Sequence, residues 1–329
     1  MRSALLVVAL VLAGCASAVE PPPPVLQPDQ LLEDVRILSA DDMEGRRVDT
    51  PGSAKARGYL IRRLEEIGVE PAQGDAYEQE FVFTKEGQAF RGVNLLGKID
   101  GTSRSRKTLV VMAHYDHVGV IDGQVYNGAD DNASGVAALI HVAARLREAP
   151  PARTVVFIAF SGEELGLLGS NWFTRHPTVP RDSMVAQLNV DMIGRGTAAD
   201  RPGGGPGYLQ LIGSRRLSTE LGDLVDRRNV EGKHGFEYDY SYDADGHPDN
   251  YYCRSDHYMY ARFGIPIAFF TTGSHVDYHQ LTDEPQYIDY DKLARVAGLI
   301  ADVALAVADL DHRVVVDKPK PDPEGVCKQ

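Results

Sequence analysis

Two kinds of apolar segment alternate along most of the chain, and this alternation limits the folds that the chain can adopt. Short runs rich in apolar residues, typical of strands buried on both faces of a sheet, occupy residues 93–99, 108–113, 154–160, 185–190 and 265–271. Segments with helical spacing occupy residues 30–38, 53–67, 133–146, 163–173 and 293–310. Ser53 is expected to cap the second helix. The pattern predicts an α/β three-layer sandwich, with helices on both faces of a mostly parallel central sheet.

Polar residues follow the predicted strands. In an open parallel sheet, active sites lie beyond the carboxyl ends of the strands, so these side chains are expected to lie close together. Taken alone, a loop histidine, an Asp131-Asn132 cap or a Glu163-Glu164 pair in a first helical turn needs no function. Five such sites at one sheet edge are harder to explain by capping. Their His, Asp and Glu residues form a ligand set for divalent metals, above all Zn²⁺.

These polar segments resemble, in the same order, those of the di-zinc aminopeptidase family that includes the leucyl aminopeptidases of Vibrio and Streptomyces. They are AHYDHVG (113–119), NGADDNASG (127–135), SGEELGLLGS (161–170), NVDMIGR (189–195) and DYHQLTDE (277–284). Two further segments are similar to the family: DDMEGRRVDTPGS (41–53) and SDHYMYARFGIPIAFF (255–270). The resemblance implies a zinc-exopeptidase-like fold and an aminopeptidase that acts on peptide substrates.

The resemblance also implies the ligands of two Zn²⁺ ions. By matching positions, Asp131 would bridge both ions, with His114 and Asp191 completing one site and Glu164 and His279 the other. The carboxylates among them would offset most of the charge of two Zn²⁺ ions. Because zinc lowers the pKa of bound water from about 15.7 to about 7, a hydroxide bridging the two metals would be available at neutral pH.

Three more residues receive roles from the resemblance. Glu163 would be the general base that takes the proton of water and returns it to the leaving amine. Asp116 would orient His114 as a hydrogen-bond acceptor, and Tyr278 would place a hydroxyl near the developing oxyanion. The Tyr-His context favours His279 over His275 as the ligand. No role is implied for Asp130 or His117.

Other functions remain open on the same fold. A glutaminyl cyclase shares the fold and uses one zinc, but its relatives lack the ligands for the second metal. A carboxypeptidase or dipeptidase would use the same metals with the opposite polarity, and a non-enzymatic binding lipoprotein would be expected to lose metal ligands. Nucleic acid is not an expected partner, because 34 Lys and Arg face 47 Asp and Glu.

Substrate polarity is predicted from residues 236–252, which contain five acidic residues and five tyrosines but no Lys or Arg. As a wall of the substrate pocket, such a loop would favour the ammonium group of a free N-terminus by charge and by cation–π contact. The alternative is a solvated surface loop, and Arg254 just beyond it would supply a cation for a substrate carboxylate.

The amino-terminal segment has the features of an export signal. Arg2 precedes an apolar run over residues 4–12 that is too short to span a bilayer. Leu12-Ala13-Gly14-Cys15 resembles a bacterial lipobox, whereas Ala16-Ser17-Ala18 fits ordinary secretion; we favour the lipobox because cysteine is scarce here. Membrane contact is therefore expected only through a lipid on Cys15, on the periplasmic, outer-membrane or cell-surface side. The predicted parts are a signal peptide (1–14), a lipidated proline-rich linker (15–28), a zinc peptidase domain (29–312) and a tail (313–329).

Two local features remain open. Cys253 and Cys327 could pair in an oxidising compartment and tie the tail to a loop. Asp243-Ala244-Asp245-Gly246 resembles the start of a Ca²⁺ loop but lacks the bidentate Glu at its far end. A solvated acidic loop is therefore the prediction there.

Overall fold

A computed structural model of the chain describes residues 28–103, 105–196 and 204–329. The predicted signal peptide, Cys15 and nearly all of the linker lie outside the described residues. The α-helices are α1 (Pro28–Leu38), α2 (Pro51–Ile67), α3 (Gly135–Glu148), α4 (Leu168–Arg175), α5 (Thr219–Glu231), α6 (Tyr258–Ala261) and α7 (Tyr290–Ala308). The strands are β1 (Glu70–Pro71), β2 (Glu78–Lys85), β3 (Gln88–Ile99), β4 (Thr108–His114), β5 (Gly119–Ile121), β6 (Gln124–Tyr126), β7 (Thr154–Phe160), β8 (Met184–Val190), β9 (Tyr208–Ile212), β10 (Glu237–Asp239) and β11 (Ile267–Thr271).

The central sheet confirms the predicted fold class. Within the described ranges, nine strands form one sheet in the order β1-β3-β7-β4-β8-β11-β9-β10, with β2 paired to β3. The four central strands, β7, β4, β8 and β11, run parallel to one another. The flanks differ, since β3 is antiparallel to β7 and β9 is antiparallel to β11. The parallel centre brings four carboxyl ends to one edge.

Strand β4 shows why the fold has three layers. Its alternate residues Leu109, Val111 and Ala113 pack into a core that contains α1, α2, α3, α5 and α7. Val110 and Met112 point to the opposite face and pack with residues of α4 and α6. Because side chains alternate between the two faces of a strand, a continuous apolar run requires apolar cover on both sides.

The predicted helix starts are wrong by two to five residues, and α2 and α4 show why. Thr50 caps α2 and accepts a hydrogen bond from the Ser53 amide, with Pro51 in the first turn. Helix α4 begins at Leu168 rather than at residue 163, because Gly162, Gly166 and Leu167 take positive φ angles and form a turn. Glu163 therefore lies in a loop at the sheet edge and not in a first helical turn.

A buried arginine ties the amino-terminal segment to the loops beyond β4. The guanidinium of Arg46 donates to the backbone carbonyls of Leu38, Tyr115, Asn127 and Gly128. Burial lowers its pKa to about 10, so it stays charged at neutral pH. These four carbonyls satisfy the donors of a cation that would otherwise be costly to bury.

The carboxyl-terminal segment is attached to the domain by covalent and polar contacts. Cys253 and Cys327 form a disulfide, so the proposed pairing is confirmed. The Gln329 side chain accepts from the Tyr252 amide and donates to the Tyr242 carbonyl. In the part of the chain that the structure describes, no helix has both the length and the apolar character needed to cross a bilayer.

Candidate metal centre and active site

The loops beyond the central strands bring all five predicted metal ligands together. His114 ends β4, Asp191 directly follows β8, and Glu164 lies in the turn after β7. Among the described residues, two groups of side chains are close enough to hold a metal ion, and they share Asp131. One group is His114, Asp131 and Asp191; the other is His117, Asp131, Glu164 and His279.

The first group is arranged around the ring of His114. Its Nε2 lies 3.3 Å from Asp191 Oδ1 and 3.4 Å from Asp131 Oδ1. Its Nδ1 lies 3.1 Å from the backbone carbonyl oxygen of Asp116, whereas the Asp116 carboxylate is 3.8 Å away. The carbonyl, and not the predicted carboxylate, is thus the hydrogen-bond partner that turns Nε2 toward Asp131 and Asp191.

The second group is arranged around His279. Its Nε2 lies 3.0 Å from both Asp131 Oδ2 and Glu164 Oε2, yet it is aligned for a hydrogen bond with neither. Burial lowers the pKa of His279, but the two carboxylates outweigh burial and raise the pKa to about 10. A nitrogen close to two carboxylate oxygens without hydrogen-bond alignment fits a shared metal ligand set, and imidazole with carboxylate ligands suits Zn²⁺.

The carboxylates around the two ligand groups shift the pKa values of their neighbours. Burial lowers the pKa of His114, but Asp191 and the other neighbouring carboxylates raise it well above its usual range. Burial and the neighbouring carboxylates of Glu164, Asp256 and Asp191 raise the pKa of Glu163, while His114 opposes them. The crowded carboxylates therefore favour the protonated forms of His114 and Glu163.

We expect metal binding to release protons, because ligand histidines must be neutral to bind a metal. His279, with a pKa of about 10 in the metal-free protein, is protonated at pH 8 and must lose its proton. Apparent zinc affinity should rise by roughly tenfold per pH unit for each proton released, from pH 7 toward 10. Calorimetry in buffers of different ionisation enthalpy measures this release. A binding constant that does not change between pH 7 and pH 9 would contradict this prediction.

Backbone contacts hold the ligand-bearing loops. The Asp283 carboxylate accepts from the amides of Asp130 and Asp131 at 3.0 Å each. The Asp116 carboxylate accepts from the amides of Glu163 and Glu164 at 3.2 and 3.4 Å. These two buried acids fix the backbone positions of Asp131 and of the Glu-Glu pair, a role that the sequence did not indicate for Asp283.

Other contacts separate ligands from supporting residues. Ser255 donates to Asp191 Oδ2 at 2.9 Å and orients that carboxylate. His275 Nε2 lies 3.1 Å from Asp130 Oδ2, and Asp130 also accepts from the Gly194 amide. His275 and Asp130 therefore lie outside both groups, which agrees with the choice of His279 as the ligand.

A cavity that is open to solvent lies against the first ligand group. Its lining includes Glu163, Tyr251, Arg254 and Tyr278. Tyr278 stacks on His279 with ring centroids 3.9 Å apart, and its hydroxyl accepts a hydrogen bond from Arg254 at 3.3 Å. Burial and the nearby carboxylates raise the pKa of Tyr278 above its usual range, so its hydroxyl remains a proton donor.

The predicted acidic wall of this cavity is wrong. Among the described residues that line the cavity, Tyr251 is the one that comes from residues 236–252, and Arg254 follows it. Asp239 accepts from the hydroxyl of Tyr208, and Asp243 pairs with Arg216 at 2.6 Å. Asp239 and Asp243 are thus used in contacts away from the cavity, and none of the five acids of this segment is among the described lining residues.

The loop at residues 243–246 is not among the metal-ligand groups of the described residues. Arg216 pairs with Asp243 and lies 3.5 Å from Asp245, which is 98% exposed. An arginine at this position opposes the binding of a divalent cation. The structure therefore gives no support to the Ca²⁺ alternative.

The fold and the paired ligand groups define a protein of the zinc-exopeptidase fold class. The chain belongs to peptidase family M28, whose sequence profile matches residues 94–304. A Zn-dependent exopeptidase from Parabacteroides distasonis has the same fold, with a TM-score of 0.68 and 20% identity over 86% of this chain and 99% of its own. A glutaminyl cyclase from Fimbriiglobus ruber does too, with a TM-score of 0.70 and 21% identity over 88% of this chain and 99% of its own.

Two curated relatives are similar in sequence. Aminopeptidase YwaD of Bacillus subtilis is 32% identical over 133 residues, which are 39% of this chain and 28% of that protein. A protein of Arthroderma otae named "Probable leucine aminopeptidase" is 26% identical over 303 residues, 85% of this chain and 73% of its own. The match to the Bacillus relative therefore spans less than a third of that protein's length.

Proposed function

We propose that the protein is a zinc metallopeptidase that cleaves peptide bonds at free N-termini, with two metal ions and Glu163 as general base. The observation that carries this proposal is the pair of ligand groups that share Asp131 beside Glu163. The names of two relatives, both aminopeptidases, support the free N-terminus. Bound zinc would act as a Lewis acid and lower the pKa of water.

The side chains around the cavity have complementary tasks in this reaction. Glu163 lines the cavity, where it would accept the proton of the attacking water and deliver it to the leaving amine. Tyr278 keeps its proton and would donate a hydrogen bond to the developing oxyanion, while Arg254 supports its hydroxyl. Asp116 holds the turn that carries Glu163, so the base is positioned independently of substrate.

A glutaminyl cyclase is the second candidate, because proteins of that name share the fold. A glutaminyl cyclase is expected to use one zinc ion. This chain instead has two ligand groups that share Asp131, which favours the peptidase. A carboxypeptidase or dipeptidase is a third candidate, since Arg254 in the cavity lining is a cation suited to a substrate carboxylate.

Blocked peptides test the polarity of cleavage. We compare one peptide with its N-acetylated and C-amidated forms, with and without added zinc. Acetylation should abolish cleavage because the free amine is lost, and amidation should change the rate by less than about tenfold, or 1.4 kcal/mol. Loss of cleavage on amidation alone would make the protein a carboxypeptidase, and cyclisation of amino-terminal Gln without hydrolysis would make it a cyclase.

We further propose that the protein is exported and anchored by a lipid on Cys15. The apolar run that ends in Leu12-Ala13-Gly14-Cys15 supports this, as does the following proline segment. Cys15→Ala should shift the protein from the membrane fraction to the soluble fraction, with cleavage after Ala18. Mass spectrometry of the wild-type amino terminus checks it, and an unmodified Val19 terminus would exclude the anchor.

A further inference from the structure

We propose that His117 is a metal ligand, so that the two metal positions differ: Asp131, Glu164, His279 and His117 would form a four-ligand position. The position of His114, Asp131 and Asp191 would have three protein ligands. This inference rests on the proposed function in that it requires the protein to bind metal. It concerns how the two positions differ and not which peptide is cleaved.

The polar contacts of His117 converge on the second group. Its Nδ1 lies 2.9 Å from Glu164 Oε1 and 3.6 Å from Asp131 Oδ2. The ring is fully buried, and its centroid is 5.5 Å from that of His279, at an angle of 72°. Its other nitrogen, Nε2, has no hydrogen-bond partner among the described residues. All polar contacts found for this imidazole therefore lead to the carboxylates that would hold the ion.

The backbone leaves space for this ring. Gly128 takes a positive φ of 57°, and a Cβ there would lie 2.5 Å from two ring atoms of His117. Any residue with a side chain at position 128 would therefore displace the imidazole. The Gly128 carbonyl is held by Arg46, which fixes the same loop from behind. The position of the His117 ring is therefore fixed by the close approach of the Gly128 backbone, which Arg46 holds in place.

Unequal ligation has a chemical consequence. Four protein ligands fill a tetrahedral zinc site and are typical of metal retained for structure, whereas catalytic sites use three and leave a position for water or substrate. The three-ligand position is also the one whose residues line the cavity, together with Glu163. The His117 position should therefore retain its ion more tightly, and the His114 position should exchange its ion more readily.

A competing explanation is that His117 only hydrogen-bonds Glu164. Two substitutions separate the explanations. His117→Ala removes the imidazole entirely, whereas His117→Asn keeps an amide donor near the position of Nδ1 but is a poor zinc ligand. If ligation matters, both variants lose metal; if the hydrogen bond matters, His117→Asn behaves like the wild type.

The experiment measures zinc content of the zinc-loaded, full-length protein during dialysis against increasing concentrations of a chelator. The wild type should lose its two ions at separate chelator concentrations. In both His117 variants the tighter step should shift to weaker binding by at least about 10–100-fold, the range found for removing mere supporting contacts. Substitution of the half-buried His247, which belongs to neither ligand group, with Ala is the matched control and should leave both steps unchanged.

Spectra of the Co²⁺-loaded protein provide a readout besides activity. His117→Ala should change the visible absorption of the tightly held ion, because the number of its nitrogen ligands falls. Unchanged zinc retention in folded His117→Ala, or wild-type retention in His117→Asn, would overturn the assignment of His117 as a ligand. A wild-type protein that binds no zinc would instead contradict the proposed function, and near-ultraviolet circular dichroism identifies variants that fail to fold.

Discussion

Replacing Glu163 with Gln should lower kcat by roughly 10²–10⁴ while both metal ions remain bound. The substitution keeps the shape of the side chain but removes its ability to take a proton. The turn itself should survive, because Asp116 holds the backbone amides of Glu163 and Glu164 and does not depend on their side chains. Steady-state kinetics with zinc analysis of the same sample measures both quantities.

Glu164→Gln is the matched control for this prediction. Glu164 belongs to the second ligand group, where its carboxylate lies 2.9 Å from His117 Nδ1 and 3.0 Å from His279 Nε2. Its replacement should lower the zinc content toward one ion per chain, a result that Glu163→Gln should not give. The reverse result, with metal lost in Glu163→Gln and retained in Glu164→Gln, would exchange the two roles.

The central sheet could be predicted because its strands obey a simple physical rule. A run such as residues 108–113 has no polar face, so it must be covered on both sides, and β4 is packed between two cores. The strands at the edges of the central sheet were harder to predict from the sequence than the central ones. Strand β2 alternates exposed and buried residues and lies outside the buried centre, so its burial pattern resembles that of an amphipathic surface segment.

Ligand residues and supporting residues differ in how far the sequence reveals them. His114 and Asp191 each stand at the end of an apolar run, which predicts a place at the sheet edge, and the family resemblance implies their role as ligands. His117 is three residues beyond His114, and the direction of its ring depends on the turn and on the space above Gly128. One signal was available: a second histidine within the same strand-end segment as a predicted ligand.

The acidic segment shows the limit of interpreting charge without position. Its composition indicated attraction for a substrate ammonium group, but charge acts over a short range and depends on what lies opposite. Arg216 pairs with Asp243, although the two lie far apart in the unfolded chain. The cation of Arg254, a single residue beyond the segment, lies in the cavity lining instead.

Replacing Asp131 with Ala should remove most of both metal ions, and activity should disappear with them. Asp131 is the member common to both ligand groups, with Oδ1 facing His114 and Oδ2 facing His117 and His279. Loss of one carboxylate therefore weakens two positions at once, each by at least about 10–100-fold. Zinc content after gel filtration, compared with that of the wild type, measures the effect.

Asp191→Ala is the matched control for Asp131→Ala, because it separates a residue that serves both metal positions from one that serves a single position. Asp191 belongs to the first group alone, so its loss should release one ion and leave the other in place. The fold should tolerate Asp131→Ala, because Asp283 holds the backbone amide at position 131 and not the side chain. Equal zinc losses in the two variants, with both proteins folded, would mean that Asp131 serves one position only. The two metal ions would then not share a carboxylate, and the proposed arrangement of the centre would be wrong.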